Sequence, residues 1–351
     1  MTVLQPGTGP IRARYLAAEP AQVLWGRLPC ASDAPVIEID PGDELTIDTI
    51  SHEGLLADQG SDPLAFFAAF GVEPDAVLTD AIAVVATRDR NPILDGPHVI
   101  TGPVGIRGAK PGDLLSVHIV ELLPRVPYGV ISNRHGRGAL PGELPRSGET
   151  VSIFARAEDG VGTLSRAAGS AETVAFPLAP FLGTIGVAAA GDVRPNSIPP
   201  DRFGGNIDIK RLTEGSVLHL PVLAEGALAY VGDPHFAQGD GEVALTALEA
   251  SLRATLRFEL TPASDPFAGF VQEFGPVAED GEFLMPTGLD VDLREAMKKA
   301  VRASIALLGS RYGMDAEHAY AYLSAATDFD ISQVVDITTG VHAKIRKADF
   351  A

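Results

Sequence analysis

The chain reads as an α+β protein that is predominantly β, internally duplicated in the manner of a β-sandwich or barrel-like sheet assembly, with a few helices in its C-terminal part. Three observations predict this: period-two alternation cut by Pro and Gly, a turn-and-strand phrase that recurs, and helical periodicity confined to a few stretches.

Val36-Ile37-Glu38-Ile39-Asp40 alternates, Pro41-Gly42-Asp43 turns, and Glu44-Leu45-Thr46-Ile47-Asp48 alternates again. Such stretches predict strands joined by tight turns. The phrase returns at Pro111-Gly112-Asp113, which launches Leu114 to Ile119. In a more degraded copy, Gly102, Val104, Ile106, Gly112, Leu115 and Val117 superpose at constant offset on Gly205, Ile207, Ile209, Gly215, Leu218 and Leu220. Duplication of a β-rich half is the inference. Its plainer alternative is coincidence, since Gly and Pro punctuate any β-protein. Leu248 to Leu260 predicts one long strand with a buried face and a wet one. Helices are expected at Asp62 to Phe70, at Asp292 to Tyr312 with Asp292 as N-cap, and at Asp315 to Ala326. No linker divides the chain, so residues 1–351 are expected to form one intertwined unit. Its β-rich halves lie near 36–130 and 175–265, and its α/β region at 266–351.

A hydrophobic content of 46% suffices for a packed core. The net charge of -19 and the lack of a Lys/Arg cluster argue against nucleic acid and acidic membranes as partners. The lone Cys30 excludes an intrachain disulfide and a Cys-rich zinc site, and fits a small buried residue in a reducing compartment. No basic n-region precedes an apolar stretch near Met1, and no apolar run approaches the roughly 20 residues of a membrane span. A soluble, cytoplasmic protein is expected.

Gly232-Asp233-Pro234-His235-Phe236-Ala237-Gln238-Gly239-Asp240-Gly241-Glu242 packs acids and a histidine among three glycines. On an extended strand Asp233 and His235 project to one face and can present an oxygen and an imidazole to one cation. Asp240 and Glu242 repeat the spacing; a solvated acidic turn is the plainer alternative. In Gly204 to Lys210, Asn206, Asp208 and Lys210 share a strand face while Ile207 and Ile209 point into a core. His98, held between Gly/Pro turns, gains weight beside Asp208 and His235, because a catalytic zinc takes about three His/Asp/Glu ligands. His135, in a Gly-rich basic loop from Asn133 to Gly138, suggests a substrate lid or anion contact. His118, His219, His318 and His342 sit in strand or helix patterns and are expected to be structural. No phosphate-loop, dinucleotide or nucleophile-elbow motif occurs.

The strand from Gly205 to Lys210 and the segment from Gly232 to Glu242 resemble the acetamidase/formamidase family. His98 with Thr101-Gly102-Pro103 and Pro111-Gly112-Asp113 looks like its N-terminal signature, and Ile331-Ser332-Gln333-Val334-Val335-Asp336 like its C-terminal one. The likeness runs from about Val36 to the end. It implies hydrolysis of short linear amides to carboxylate and ammonia, a bound divalent metal, and a homo-oligomer, dimer or higher. A γ-lactam hydrolase belongs to the same group. Where typical acetamidases carry Trp-Gly-Tyr before a Gly-Gly-Phe-Leu loop, this chain has Tyr128-Gly129-Val130 and His135 to Leu140, so the pocket wall differs. The expected site has His98, Asp208 and His235 holding zinc or a similar cation, with Glu242 as acid/base. Asn206 and Asp233 orient these groups or contact the amide nitrogen, Asp233 being ligand or orienter. The rival from another class is a non-catalytic binding protein stabilised by calcium, which two imidazoles would not suit.

Overall fold

The computed structural model describes residues 2–12 and 14–350. Two large sheets of nine and eleven strands form the frame of the fold, and neither closes into a barrel among the described residues. Strands from 36–130 and from 175–265 enter both sheets, and the strands after residue 275 extend the nine-stranded one. Apolar residues from both sheets form one large core.

The recurring turn has one chemistry. Gly42 and Gly112 adopt φ of 92° and 100°, where a side chain would be strained. The following aspartates close the turn backwards, as Asp43 accepts from the Asp40 amide at 3.1 Å and Asp113 from that of Lys110 at 3.0 Å. The repeat is visible in register too. Val117 lies opposite Leu218 and Leu115 opposite Leu220 on antiparallel strands Leu114–Pro124 and Val217–Pro221. Because Leu115 corresponds to Leu218 and Val117 to Leu220, the two copies meet by exchange about a local two-fold.

The expected helices appear at Pro63–Ala68, Leu293–Tyr312 and Ala316–Ala326, each capped by the preceding aspartate, Asp62, Asp292 or Asp315. Thr79–Thr87 and Pro266–Phe274 are also helical. The first lacks a side-chain N-cap, and the second follows Pro262, Asp265 and Pro266, a sequence that resembles turn punctuation.

Two expectations about strands are corrected. The stretch Leu248 to Leu260 divides into Leu248–Glu249 in one sheet and Leu252–Thr261 in the other, so it links the two layers. Its polar face is not wet: Ser251, Arg253 and Thr255 are buried, and only Glu259 is exposed. The N-terminal segment covers that face, with Arg253 donating to the Gln5 and Pro10 carbonyls, both at 3.2 Å. The Gly204 to Lys210 strand stops at Asn206, and Asp208 turns left-handed at φ 51°.

Buried Asp48 is the hub of this covering layer. It accepts from Arg253 Nε at 2.6 Å and from the Tyr15 hydroxyl at 2.6 Å, with Arg125 Nη2 at 3.4 Å. Asp48→Ala leaves two buried guanidinium groups short of their counter-ion. It is expected to cost about 3–5 kcal/mol of stability, read as a lowered urea midpoint.

Candidate active site

The strand Ala229–Ala237 runs between Val99–Ile106 and Phe181–Gly186, and its end pairs with Leu248–Glu249. Against Phe181–Gly186, His235 faces Phe181, Pro234 faces Leu182 and Gly232 faces Thr184. That leaves Gly183 beside Asp233, which keeps the register of the pair at a left-handed φ of 49°. Their two-residue spacing keeps Asp233 and His235 on one side, with Oδ2 and Nε2 3.2 Å apart. Gly183 supplies the room. A Cβ there would lie 2.6 Å from His235 Cε1, 2.7 Å from Asp208 Oδ1 and 2.9 Å from Asp233 Oδ2. Its carbonyl also accepts from the Ile207 and Asp208 amides at 3.0 and 3.1 Å, which brings the left-handed Asp208 over the same point.

Around Asp233 the donors form three overlapping groups: His52, His98 and Asp233; Asp233, His235 and Glu249; Asp208, His235 and Glu242. His98 Nε2 is 3.7 Å from Asp233 Oδ2, His52 Nδ1 is 3.4 Å from Asp233 Oδ1, and His235 Nε2 is 3.1 Å from Glu249 Oε1. All are buried. These approaches are within ion-pair distance but lack hydrogen-bond geometry. Both nitrogens of His52 and His235, both oxygens of Asp208, Asp233 Oδ1 and Glu249 Oε2 therefore have no hydrogen-bond partner.

His98 shows its protonation state. Its Nδ1 sits 3.0 Å from the Ser197 carbonyl, which can only accept, so Nδ1 carries the hydrogen and Nε2 offers a lone pair. Burial holds His98 down to about 4, keeping it neutral. Asp336 lies alongside, reached by a relay in which the Thr184 hydroxyl donates to Asn206 Oδ1 at 2.9 Å and Asn206 Nδ2 donates to Asp336 Oδ2 at 2.9 Å.

The electrostatics are unbalanced in one sense. Burial above all, then neighbouring carboxylates, pushes Asp208 and Glu242 well above the usual carboxylate range and Asp336 up to about 8. Burial raises Glu249 as well, against the pull of His235. Asp233, despite burial, is held well down by His98 and His235. Burial disfavours protonated His52, yet Asp233, Glu53 and Glu249 raise it to about 10. No lysine or arginine pairs with Asp208, Asp233, Glu242, Glu249 or Asp336 among the described residues. Glu249 and Asp233 raise His235 too, against burial, and beyond His52 and His235 the five carboxylates meet no positive charge among the described residues. Orphaned buried oxygens and ring nitrogens, a glycine cradle that a Cβ would fill, and a mixed imidazole–carboxylate donor set all fit a divalent cation of the zinc class.

Of the residues singled out in the sequence, Asp208, His235 and Glu242 fall into one group and His98 into the adjacent one, with Asp233 and His235 shared between groups. Asn206 stands behind Asp336. Asp240 and Glu242 part company: Glu242 turns inward, while Asp240 pairs with Lys210 at 2.5 Å. His52, Glu249 and Asp336 come from elsewhere in the chain. His52 follows the strand Glu44–Asp48, and Glu249 sits inside what reads as an apolar alternation, so neither carries a local signal. Asp336 ends the Ile331 to Asp336 signature, and its charge was the available hint.

The site opens into a cavity of about 790 Å³ walled by Leu56, Pro97, Leu245, Val335 and Ile337, with Arg90, Arg134 and Arg137 also lining it. His135 is not among the lining residues. Its Nδ1 is 3.1 Å from the Pro145 carbonyl, while Gly136, Arg137 and Gly138 face the cavity.

Residues 85–197 and 188–346 each match the Acetamidase/Formamidase family. An acetamidase of Mycolicibacterium smegmatis is 31% identical over 199 residues, covering 42% of this chain and 49% of that protein. The chain spans about half the length of the curated relatives it matches. The crystal structure of an acetamidase from Yersinia enterocolitica superposes with a TM-score of 0.74 at 26% identity, covering 98% of this chain and 94% of the other. A γ-lactamase from Delftia acidovorans shares the fold, with a TM-score of 0.56 at 20% identity over 96% and 93% of the two chains.

Gly183→Ala tests the cradle. The methyl group must displace Asp208, Asp233 or His235, so divalent-cation affinity is expected to fall about 10–100-fold, measured by calorimetry on chelator-treated protein.

Proposed function

This chain belongs to the Acetamidase/Formamidase family, and from that premise we propose that it is a metal-dependent hydrolase of the carbon–nitrogen bond of small linear amides, releasing carboxylate and ammonia. The observation that carries this reading is the convergence of Asp208, Asp233 and His235, each with unpartnered polar atoms, on the space left by Gly183, with His98 Nε2 3.7 Å from Asp233 Oδ2. These four are the proposed donors to the cation, zinc being the best match and calcium the poorer one because of the imidazoles. His52 and Glu249 orient them.

An amide resists water because its carbonyl is resonance-stabilised and its nitrogen leaves badly. When bound, a divalent cation supplies Lewis acidity, which polarises the carbonyl and makes water a better nucleophile. The protein's own part is proton management and placement. Glu242, buried and raised in pKa, takes a proton from water as the oxygen attacks the carbonyl carbon. It then hands that proton to the nitrogen as the carbon–nitrogen bond breaks, so one water is consumed and the nitrogen departs as ammonia. The raised pKa suits a group that must hold the proton between the two events. Asn206 fixes Asp336 at the edge of the cavity, where its carboxyl can meet the amide nitrogen. Apolar walls limit competing water.

The same reading places the enzyme in the cytoplasm as a homo-oligomer. The lone, buried Cys30 supports the reducing compartment, and the family resemblance supports the homo-oligomer. No helix among the described residues is long and apolar enough to cross a membrane. The likeness to a γ-lactamase makes cyclic amides the natural second arm of an assay.

The test is ammonia release from formamide, acetamide, longer aliphatic amides and lactams, before and after metal removal. Glu242→Gln is expected to lower kcat by at least about 100-fold while metal content stays as in the parent protein. A fully active variant, or one that has lost its metal, contradicts the role given to Glu242.

A further inference from the structure

The cavity is large for its proposed task. At about 790 Å³ it lies among the clefts of about 300–1,000 Å³ that receive ligands of drug size, far beyond the needs of a two-carbon amide. Its charge is also sorted by depth. The buried end is carboxylate and imidazole, whereas Arg90, Arg134 and Arg137 contribute guanidinium groups to the lining.

The three arginines are not equivalent. Arg134 is spent, with Asp58 at 2.7 Å and Glu53 at 3.3 Å. Arg90 is half-buried and donates from Nε to the Gly96 carbonyl at 2.6 Å and from Nη2 to the Asp95 carbonyl at 3.1 Å. No carboxylate pairs with it, and its Nη1 has no partner among the described residues. Arg137 is exposed on the Gly136 to Gly138 turn, and its side chain has neither hydrogen bond nor ion pair among the described residues. The acids that could have neutralised them are engaged elsewhere. Asp95 pairs with Arg27 at 2.6 Å, and Asp58 is held by Arg134 and the Thr150 hydroxyl. Burial holds Arg90 below its ordinary range, and the charges of Arg134 and Arg137 add to that effect against Asp95 and Asp58.

We propose that the substrate is an amide bearing a carboxylate at its far end, a monoamide of a short dicarboxylic acid, whose carboxylate is received by Arg90 and Arg137. This rests on the amide-hydrolase reading above and deepens it. Polarity fixes the direction of entry, because buried acids repel a carboxylate and accept a neutral amide, while guanidinium forks prefer the carboxylate. The methylene spacer lies along Leu56, Pro97 and Ile337. Hydrolysis then turns the monoamide into the dicarboxylate and ammonia. The product carries a second charge next to the acidic site, which favours its release.

Glutaramate and its neutral isostere glutaramide separate this inference from its premise. Their binding is measured by calorimetry on the metal-loaded protein, and their hydrolysis by ammonia release, for the parent protein, Arg137→Gln and Arg90→Gln. Glutaramate is expected to bind at least about tenfold more tightly than glutaramide. That ratio should collapse towards one in either variant and shrink with added salt. Arg137 is on an exposed turn, so its variant keeps the test open if Arg90→Gln fails to fold. Equal binding of the two compounds, or a preference untouched by Arg137→Gln, overturns the inference. A clear glutaramate preference with no ammonia from any amide upholds the arginine site and faults the hydrolase reading instead.

Discussion

Five carboxylates, Asp208, Asp233, Glu242, Glu249 and Asp336, are buried around three imidazoles with no lysine or arginine in contact among the described residues. Burying one unpaired charge costs several kcal/mol, and burying five together multiplies the penalty through mutual repulsion. In the protein alone, protons must supply the balance, which is why four of the five carboxylates are raised. A divalent cation at this place would supply the balance and satisfy the orphaned lone pairs. Much of the surrounding architecture makes sense as the means of holding this assembly together against its own charge.

That holding is visible in the backbone. Nine non-glycine residues have positive φ among those described, and Asp208, Asp233 and Glu242 are three of them, with Leu245 and Ile337 of the cavity wall two more. Aspartate tolerates this region better than most residues, but glutamate and β-branched isoleucine do not. The strain is sustained by its surroundings: Ala229–Ala237 is hydrogen-bonded on each side within the eleven-stranded sheet, and the Gln238 amide ties the carbonyls of Asp208 and Ser332 together at 3.1 Å each. A contrasting solution appears away from the cavity. Asp48, Arg125, Arg253 and Asp80 are buried just as fully, yet pair directly with one another. One chain therefore contains both kinds of buried charge, the self-sufficient and the incomplete.

What the sequence made legible was local. Pro-Gly-Asp turns, the Asp292 cap and the two-residue spacing of Asp233 and His235 depend on neighbours in the chain, and each has its expected place. The misreadings share a cause in long-range packing. Arg253 looks like a solvent-facing residue until Gln5 and Pro10 cover it. Asp208 looks like a strand residue until the Gly183 carbonyl captures its amide and that of Ile207. His52 and Glu249 are separated by almost 200 residues and meet where the chain passes from one sheet to the other between Glu249 and Leu252, so no spacing rule could pair them. The sequence could likewise flag the basic loop around His135, but not that its arginine rather than its histidine would face the cavity.

The most direct measurement is the metal content of the protein purified without added metal, taken together with its thermal unfolding before and after chelation. The account predicts at least one equivalent of a divalent transition metal, a lower melting temperature once it is removed, and recovery on adding zinc back. A protein free of stoichiometric metal, whose unfolding and amide hydrolysis are indifferent to chelator and to zinc, would contradict it.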